Sequence, residues 1–330
     1  MNDKLKELKR IAQAQFGKEN IFLMGEEAAE KVEILPTSIY SLDRALGIGG
    51  FARGRMVEIF GSESAGKTSL ALYAAAKAQE AGGIVVFIDT EHALDMTLAK
   101  LIGVKTDELL LSQPDTAEEA LEIAEHFARS GEIALIILDS VAALVPKAEV
   151  DGEMGDSHMA LVARLMSQAC RKLTGVLAKS NTTMIWINQI RSKIGVFFGN
   201  PETTTGGNAL RFYSSQRLEV KKGLSLKEGD NVIGHNVVVK VVKNKLATPF
   251  QKATFPIMYG HGADLVGDIF DLAVTHGLVE KNGSWFSYNG EKIGQGRNNS
   301  VNHVAENVSI LKELRDALDK QSLKLSDKDE

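Results

Sequence analysis

Eight consecutive residues, Gly61-Ser62-Glu63-Ser64-Ala65-Gly66-Lys67-Thr68, match the spacing Gly-x-x-x-x-Gly-Lys-Thr. Residue types in this order suit the gripping of a polyphosphate. Glycine lets backbone amides fold around phosphate oxygens, and the amino terminus of a following helix adds a favourable dipole. Lys67 can reach the terminal phosphates and the Thr68 hydroxyl can bind magnesium, so ATP and Mg2+ are the implied cofactors. The motif follows the apolar run 56–60 and precedes the helix-compatible run 69–76, the strand, loop and helix order it requires.

Three further groups stand where hydrolysis would need them. Asp139 ends the apolar run 135–138, where a carboxylate can orient the magnesium shell, its alternative being an ordinary strand-end aspartate or helix cap. Glu91 lies just past the run 84–88 and can polarise an attacking water; Asp89 is its rival, and His92 reads rather as a structural hydrogen-bonder. Gln189 follows the run 184–187 and Asn188, and its uncharged amide suits a sensor of the terminal phosphate or, more plainly, a capping group.

These groups need a scaffold that brings strand ends together. Short apolar runs at 56–60, 84–88, 135–138 and 184–187 alternate with helical patterns, which predicts an α/β core whose mostly parallel sheet is covered by helices on both faces. In such sheets ligands bind beyond the carboxyl ends of the strands. After Gly207 the runs 212–222, 236–245 and 251–258 alternate without helices between them, predicting an antiparallel extension. A helix over 264–276, a turn at Lys281-Asn282-Gly283-Ser284 and a helix near 304–318 predict a small α+β C-terminal domain. Leu5, Leu8, Ile11 and Phe16 keep near-helical spacing, so a short amphipathic helix precedes the body. The expected divisions are 1–30, 31–262 and 263–330.

Composition permits this scaffold. At 330 residues, 44% hydrophobic and 25% charged, the chain has ample core material. The single cysteine, Cys170, excludes an intrachain disulfide or a thiolate cluster and fits a reducing, cytoplasmic setting. No apolar run approaches the roughly 18 residues that suggest a membrane span. The net charge of −5 conceals an asymmetry: residues 141–250 carry 15 Lys and Arg against 8 Asp and Glu, leaving 23 against 35 elsewhere. A basic surface able to meet nucleic acid is therefore compatible with an acidic protein.

Two segments are unlike core. Residues 190–207 mix Gly with basic, apolar and hydroxyl residues directly after Gln189. A loop so attached, carrying Arg191, Lys193 and Phe198, suits single-stranded nucleic acid through charge, backbone amides and apolar contact with bases. Residues 150–158 form a second Gly-rich turn whose acidity leaves backbone amides and Met154 as the expected contacts.

With the phosphate loop, the strings Phe87-Ile88-Asp89-Thr90-Glu91-His92-Ala93-Leu94-Asp95, Gly155-Asp156-Ser157-His158-Met159, Asn188-Gln189-Ile190-Arg191 and Thr205-Gly206-Gly207-Asn208-Ala209-Leu210 follow in order. On these residues the chain resembles the bacterial RecA family from about residue 10 to about residue 297. The resemblance implies a RecA-type P-loop ATPase core in which Glu91 activates water and Gln189 senses the terminal phosphate. It implies that Ser69, Asp95 and Tyr259 join the nucleotide contacts, and that Lys243 and Lys245 reach a neighbour's phosphates across a helical homo-filament. Their two-residue spacing places both lysines on one strand face, which alone reads as a solvated edge. DNA contacts are implied for Met154, Gly155, Met159, Arg164, Arg171, Arg191, Lys193, Ile194, Gly195, Phe198, Thr205, Gly206, Gly207 and Asn208. Phe212 is implied to couple the nucleotide to the interface, and the first helix to pack on the adjacent protomer. Leu98 stands where the family commonly has an adenine-stacking tyrosine, and the last six residues are short beside the family's long acidic tail.

The expected function is an ATP-dependent recombinase that assembles on single-stranded DNA, hydrolyses ATP when DNA is bound, and exchanges strands with a homologous duplex in repair. Promotion of self-cleavage by a LexA-type repressor in the damage response is a further implied role. A ring-shaped helicase of related fold and a nucleotide-switched filament scaffold are the alternatives.

Overall fold

The computed structural model describes residues 3–18, 21, 23, 32–153, 160–192 and 202–326. Residues Met1–Glu33 and Ile34–Glu330 form two units. In the first, the helix Asp3–Phe16 buries none of its residues, and Leu5, Leu8, Ile11 and Phe16 are all exposed. Arg10 clasps Glu7 on its polar side, through Nη2 to Oε1 at 2.7 Å and Nε to Oε2 at 3.1 Å.

The second unit is built on a ten-stranded sheet. Its parallel part runs, in spatial order, Gln216–Glu228, Met56–Gly61, Thr183–Ser192, Ile133–Asp139, Ile84–Asp89 and Leu109–Ser112. Alternation of side chains divides each central strand between two cores. Val85, Phe87, Leu135, Ile137, Ile185 and Ile187 face the helix Lys67–Glu80. Val86, Ile88, Ile136, Leu138, Met184 and Trp186 face the helices Ala117–Ser130 and Leu161–Ser180. Burial on both faces explains why these runs are continuously apolar.

Beyond Gln216–Glu228 the sheet turns antiparallel through Asn231–Asn244, Lys252–Met258 and Gly262–Ala263, as the alternating runs anticipate. A third apolar cluster joins Phe270, Phe286, Ile293, Val304 and Leu314 around the helix Leu265–Thr275 and a three-stranded sheet, Glu280–Asn282, Trp285–Tyr288 and Glu291–Gln295. Tyr40 enters this cluster from the helix Tyr40–Ala45, which ties the small lobe to the larger one. The helix expected near 304–318 is two helices, Arg297–Glu306 and Val308–Ser326. The chain breaks at Asn307, whose amide donates to His303 and Val304 carbonyls and closes the first helix.

Candidate active site

Parallel register brings the polar strand ends into one row. Gly61 pairs with Gln189, Phe60 with Asn188, and Asp89 with Asp139. Gly61 is required by close approach, since a Cβ there would lie 2.0 Å from the Val220 carbonyl oxygen. The phosphate loop then curls through Ser64 at φ 54° and Gly66 at φ 95° into the helix Lys67–Glu80. Left-handed backbone favours glycine at position 66, and its amide-lined turn ends at a helix amino terminus suited to anions. Lys67 Nζ donates to the carbonyls of Ser62 at 2.7 Å and Gly61 at 3.3 Å. Burial pulls its ammonium below the ordinary lysine value, with Asp139, Glu91 and Glu63 opposing.

Thr68 Oγ1 donates to Asp139 Oδ2 at 2.7 Å. Burial pushes the Asp139 carboxyl up to about 6; the Thr68 bond opposes this and the nearby Glu91 and Asp89 carboxylates add to it. Such a carboxylate would be relieved by a cation beside it. Among the described residues, no group of three or more His, Cys, Asp and Glu side chains could hold a metal. A magnesium ion at Thr68 and Asp139 would therefore share its shell with phosphate oxygens and water, which fits the pair present.

Glu91 Oε1 accepts from Gln189 Nε2 at 3.0 Å and from Ser140 Oγ. Asp89 is differently placed: it is 2% exposed and its oxygens are occupied by the amides of Ala93 and Leu94 and by Gln113 Nε2. Those bonds leave Asp89 a loop-organising role and Glu91 the exposed carboxylate. Ser140 and Gln113 have no motif of their own and come to the site through the fold.

A cavity of about 450 Å³ adjoins the loop, lined by Ser64–Ser69 and by Asp95, Leu98, Leu101, His235, Ile257, Met258 and Tyr259 among others. Asp95 caps the helix Met96–Ile102, its Oδ1 accepting from the amides of Thr97 and Leu98. Leu98 presents an apolar wall there, and the half-exposed Tyr259 supplies the aromatic one.

Family models match nearly the whole chain: the RecA N-terminal domain over residues 4–264 and the RecA C-terminal domain over residues 267–322. Protein RecA of Syntrophus aciditrophicus is 60% identical over 298 residues, covering 90% of this chain and 87% of its own. Protein RecA of Geobacter sulfurreducens is 60% identical over 301 residues, covering 91% and 89%. Protein RecA 1 of Myxococcus xanthus is 55% identical over 321 residues, covering 95% and 94%.

The chain belongs to the RecA family.

As a RecA-family protein it is an ATP-dependent recombinase of DNA repair and a DNA-dependent ATPase. The ring-helicase alternative gives way to this assignment. Among the described residues no helix is long and apolar enough to cross a membrane.

In this RecA-family chain the segment after Gln189 is not a plain loop at its ends. Strand Thr183–Ser192 runs on past the sheet and pairs antiparallel with Glu202–Thr204, Arg191 standing opposite Thr203. Two threonines suit that pairing because β-branched side chains fit a pleated surface. Lys193, Ile194, Gly195 and Phe198 lie outside the described residues, as do Met154, Gly155 and Met159. Beyond the hairpin, Gly206 and Gly207 pass closely over the turn Val141–Ala143 and the start of the helix Leu161–Ser180: a Cβ on Gly206 would meet Val141 Cγ1 at 2.8 Å and Met166 Cγ at 3.3 Å, and one on Gly207 Ala163 Cβ at 3.0 Å. This contact sets Thr205–Asn208 beside the helix carrying the exposed Arg164 and Arg171, seven residues apart on one face.

Asn188 joins the two regions. It is fully buried, and its Nδ2 donates to Glu58 Oε1 at 3.1 Å and the Thr205 carbonyl at 3.0 Å, while its Oδ1 accepts from the Gln189 amide at 2.9 Å. Arg217 pairs with the second Glu58 oxygen. Nothing in the motif spacing distinguishes Asn188 from an ordinary strand-end amide.

Phe212, 68% exposed, lies on the short helix Ala209–Tyr213. Lys243 Nζ donates to the carbonyls of Arg211 at 2.8 Å and Phe212 at 2.9 Å. Burial, with Lys245 and Arg217 adding, pulls its ammonium down to about 8. Lys245 lies one residue past the strand end and is exposed, so the two lysines differ in environment despite their spacing. A register shift between Val241 and Lys243 disturbs the simple alternation there.

Proposed function

We propose that the phosphate loop holds the triphosphate of ATP, with Thr68 and Asp139 supporting Mg2+, and that Glu91 takes the proton of the attacking water. Gln189 shares its amide between Glu91 and the terminal phosphate, so nucleotide state is felt at the start of the hairpin that meets DNA. The observation that carries this is the Gln189 Nε2 bond to Glu91 Oε1 at 3.0 Å, at the head of the strand leading into Arg191. Magnesium would supply charge neutralisation at the phosphates; the protein residues orient the water and hold the proton. Lys243 positions the Phe212 helix at the surface offered to a second copy, Lys245 reaches that copy's nucleotide, and single-stranded and homologous duplex DNA occupy the side bearing Arg164, Arg171 and Arg191. In the same filament state the protein promotes self-cleavage of a LexA-type repressor.

The test is Glu91→Gln. Loss of a positioned base costs about 10²- to 10⁴-fold in turnover while assembly on single-stranded DNA with ATP persists. Hydrolysis within threefold of the parent would remove Glu91 from this role. Incubation of the assembled filament with a LexA-type repressor measures the last role, and no DNA-dependent cleavage would refute it.

A further inference from the structure

His235 is 4% exposed and lines the cavity beside the phosphate loop. Its strand, Asn231–Asn244, pairs it with Ile257, whose Cδ1 lies 3.1 Å from where a Cβ on Gly66 would stand. The imidazole is thus one cross-strand neighbour from the turn that begins the phosphate-binding helix. Its two nitrogens have different surroundings. Nδ1 lies 3.2 Å from Tyr259 Oη, and Nε2 is buried with no hydrogen-bond partner.

The rings of His235 and Tyr259 sit 5.6 Å apart at 49°, and the Lys222 ammonium lies 5.9 Å from the Tyr259 ring centre. Burial first, and the Lys222 charge second, hold the imidazole below its ordinary pKa, so it is neutral near pH 7. A neutral imidazole donates from one nitrogen and accepts at the other. In the tautomer where the phenol hydroxyl donates to Nδ1, the proton resides on Nε2; in the other, Nδ1–H donates to the phenol oxygen and Nε2 is a bare acceptor. A buried polar atom is seldom left without a partner in a folded protein, and the ring that carries this one lines a cavity walled by Leu98, Leu101 and Met258 on its apolar side and by Asp95, Thr97 and Tyr259 among its polar groups.

We propose that His235 Nε2–H donates a hydrogen bond to the nucleoside part of the bound nucleotide, either to a sugar oxygen or to a ring nitrogen of the base, and so contributes to nucleotide affinity and selectivity. Tyr259 fixes the tautomer that makes this possible. The inference rests on the reading of this cavity as the ATP site.

Calorimetric titration with Mg-ATP tests it. His235→Phe keeps the ring and removes both nitrogens; loss of one neutral hydrogen bond weakens binding by about 3- to 10-fold. His235→Gln restores an N–H donor and recovers most of that loss. Thermal unfolding without nucleotide checks that each variant is folded. On the parent protein, 2′-deoxy-, 3′-deoxy- and ring-deaza-ATP distinguish sugar from base: the analogue lacking the acceptor binds about as weakly to the parent as ATP does to His235→Phe. Imidazole proton–nitrogen NMR of the parent provides a readout independent of turnover, with an Nε2–H signal that moves on adding ADP. Parent-like ATP affinity in folded His235→Phe, or an Nε2–H signal unmoved by ADP, overturns the proposal. Unchanged ATP affinity in Lys67→Ala would instead overturn the assignment of the cavity itself.

Discussion

Truncating Asn188 to alanine separates the strength of the sheet end from its role in coupling. The substitution deletes three hydrogen bonds, to Glu58, to the Thr205 carbonyl and from the Gln189 amide. Glu58 is fully buried yet keeps Arg217, so its charge is not left unpaired. Two neutral bonds at about 1 kcal/mol each and one charge-assisted bond at about 1.5 kcal/mol give a loss near 3.5 kcal/mol. For a domain of this size that lowers the thermal midpoint by roughly 7–14 °C. Calorimetry measures this directly. ATP hydrolysis with and without single-stranded DNA measures the second effect, because Asn188 ties Gln189 to Thr205 just past the far end of the hairpin proposed to meet DNA: the stimulation ratio falls at least fivefold, while Lys67 and the phosphate loop keep the affinity for ATP. A midpoint shift below about 2 °C refutes the hydrogen-bond reckoning. An intact stimulation ratio in a folded variant refutes the coupling.

Lys67→Ala removes the cation of the phosphate loop and is expected to abolish ATP turnover and lower ATP affinity by at least tenfold, measured by steady-state hydrolysis and calorimetric titration. Lys243→Met loses the bonds to the Arg211 and Phe212 carbonyls; ATP binding by isolated protomers is retained, while assembly on DNA, followed by light scattering, requires higher protein concentration. Asp268 is 2% exposed, and burial pushes its carboxyl from 3.8 up to about 6. A raised carboxyl pKa means that its favourable contribution is present below pH 3.8 and lost as pH rises towards 6. Asp268→Asn therefore raises the thermal midpoint at pH 7, and the advantage over the parent shrinks as the pH is lowered from 6 towards 4; an advantage independent of pH would refute this cause.

The order of elements was legible because its signals are local. Runs such as 135–138 are apolar at every position, which only a strand buried on both faces requires, and Gly61 to Thr68 need the strand before them and the helix after them. The split of the last helical pattern at Asn307 was not legible, because the apolar spacing continues across it and the break is made by backbone bonds to His303 and Val304. The hairpin of Ile190–Ser192 with Glu202–Thr204 was hidden within a stretch whose composition resembles a loop. Nor could spacing show that Lys243 turns its ammonium to two carbonyls while Lys245 stays exposed.

The sequence by itself determined the chemistry at the phosphate loop, since glycines, a lysine and a threonine at fixed intervals form one continuous backbone turn. It also placed Glu91, Asp139 and Gln189 at strand ends, where a parallel sheet must gather them. Only the tertiary structure decided which of these groups touch. Glu91 rather than Asp89 is open to the site because Gln113, 24 residues away, occupies Asp89. Asn188 reaches Thr205, and His235 borders the cavity, through register between strands distant in the chain. Such contacts depend on ångström-scale placement of side chains from separate segments, which residue type and local spacing do not encode.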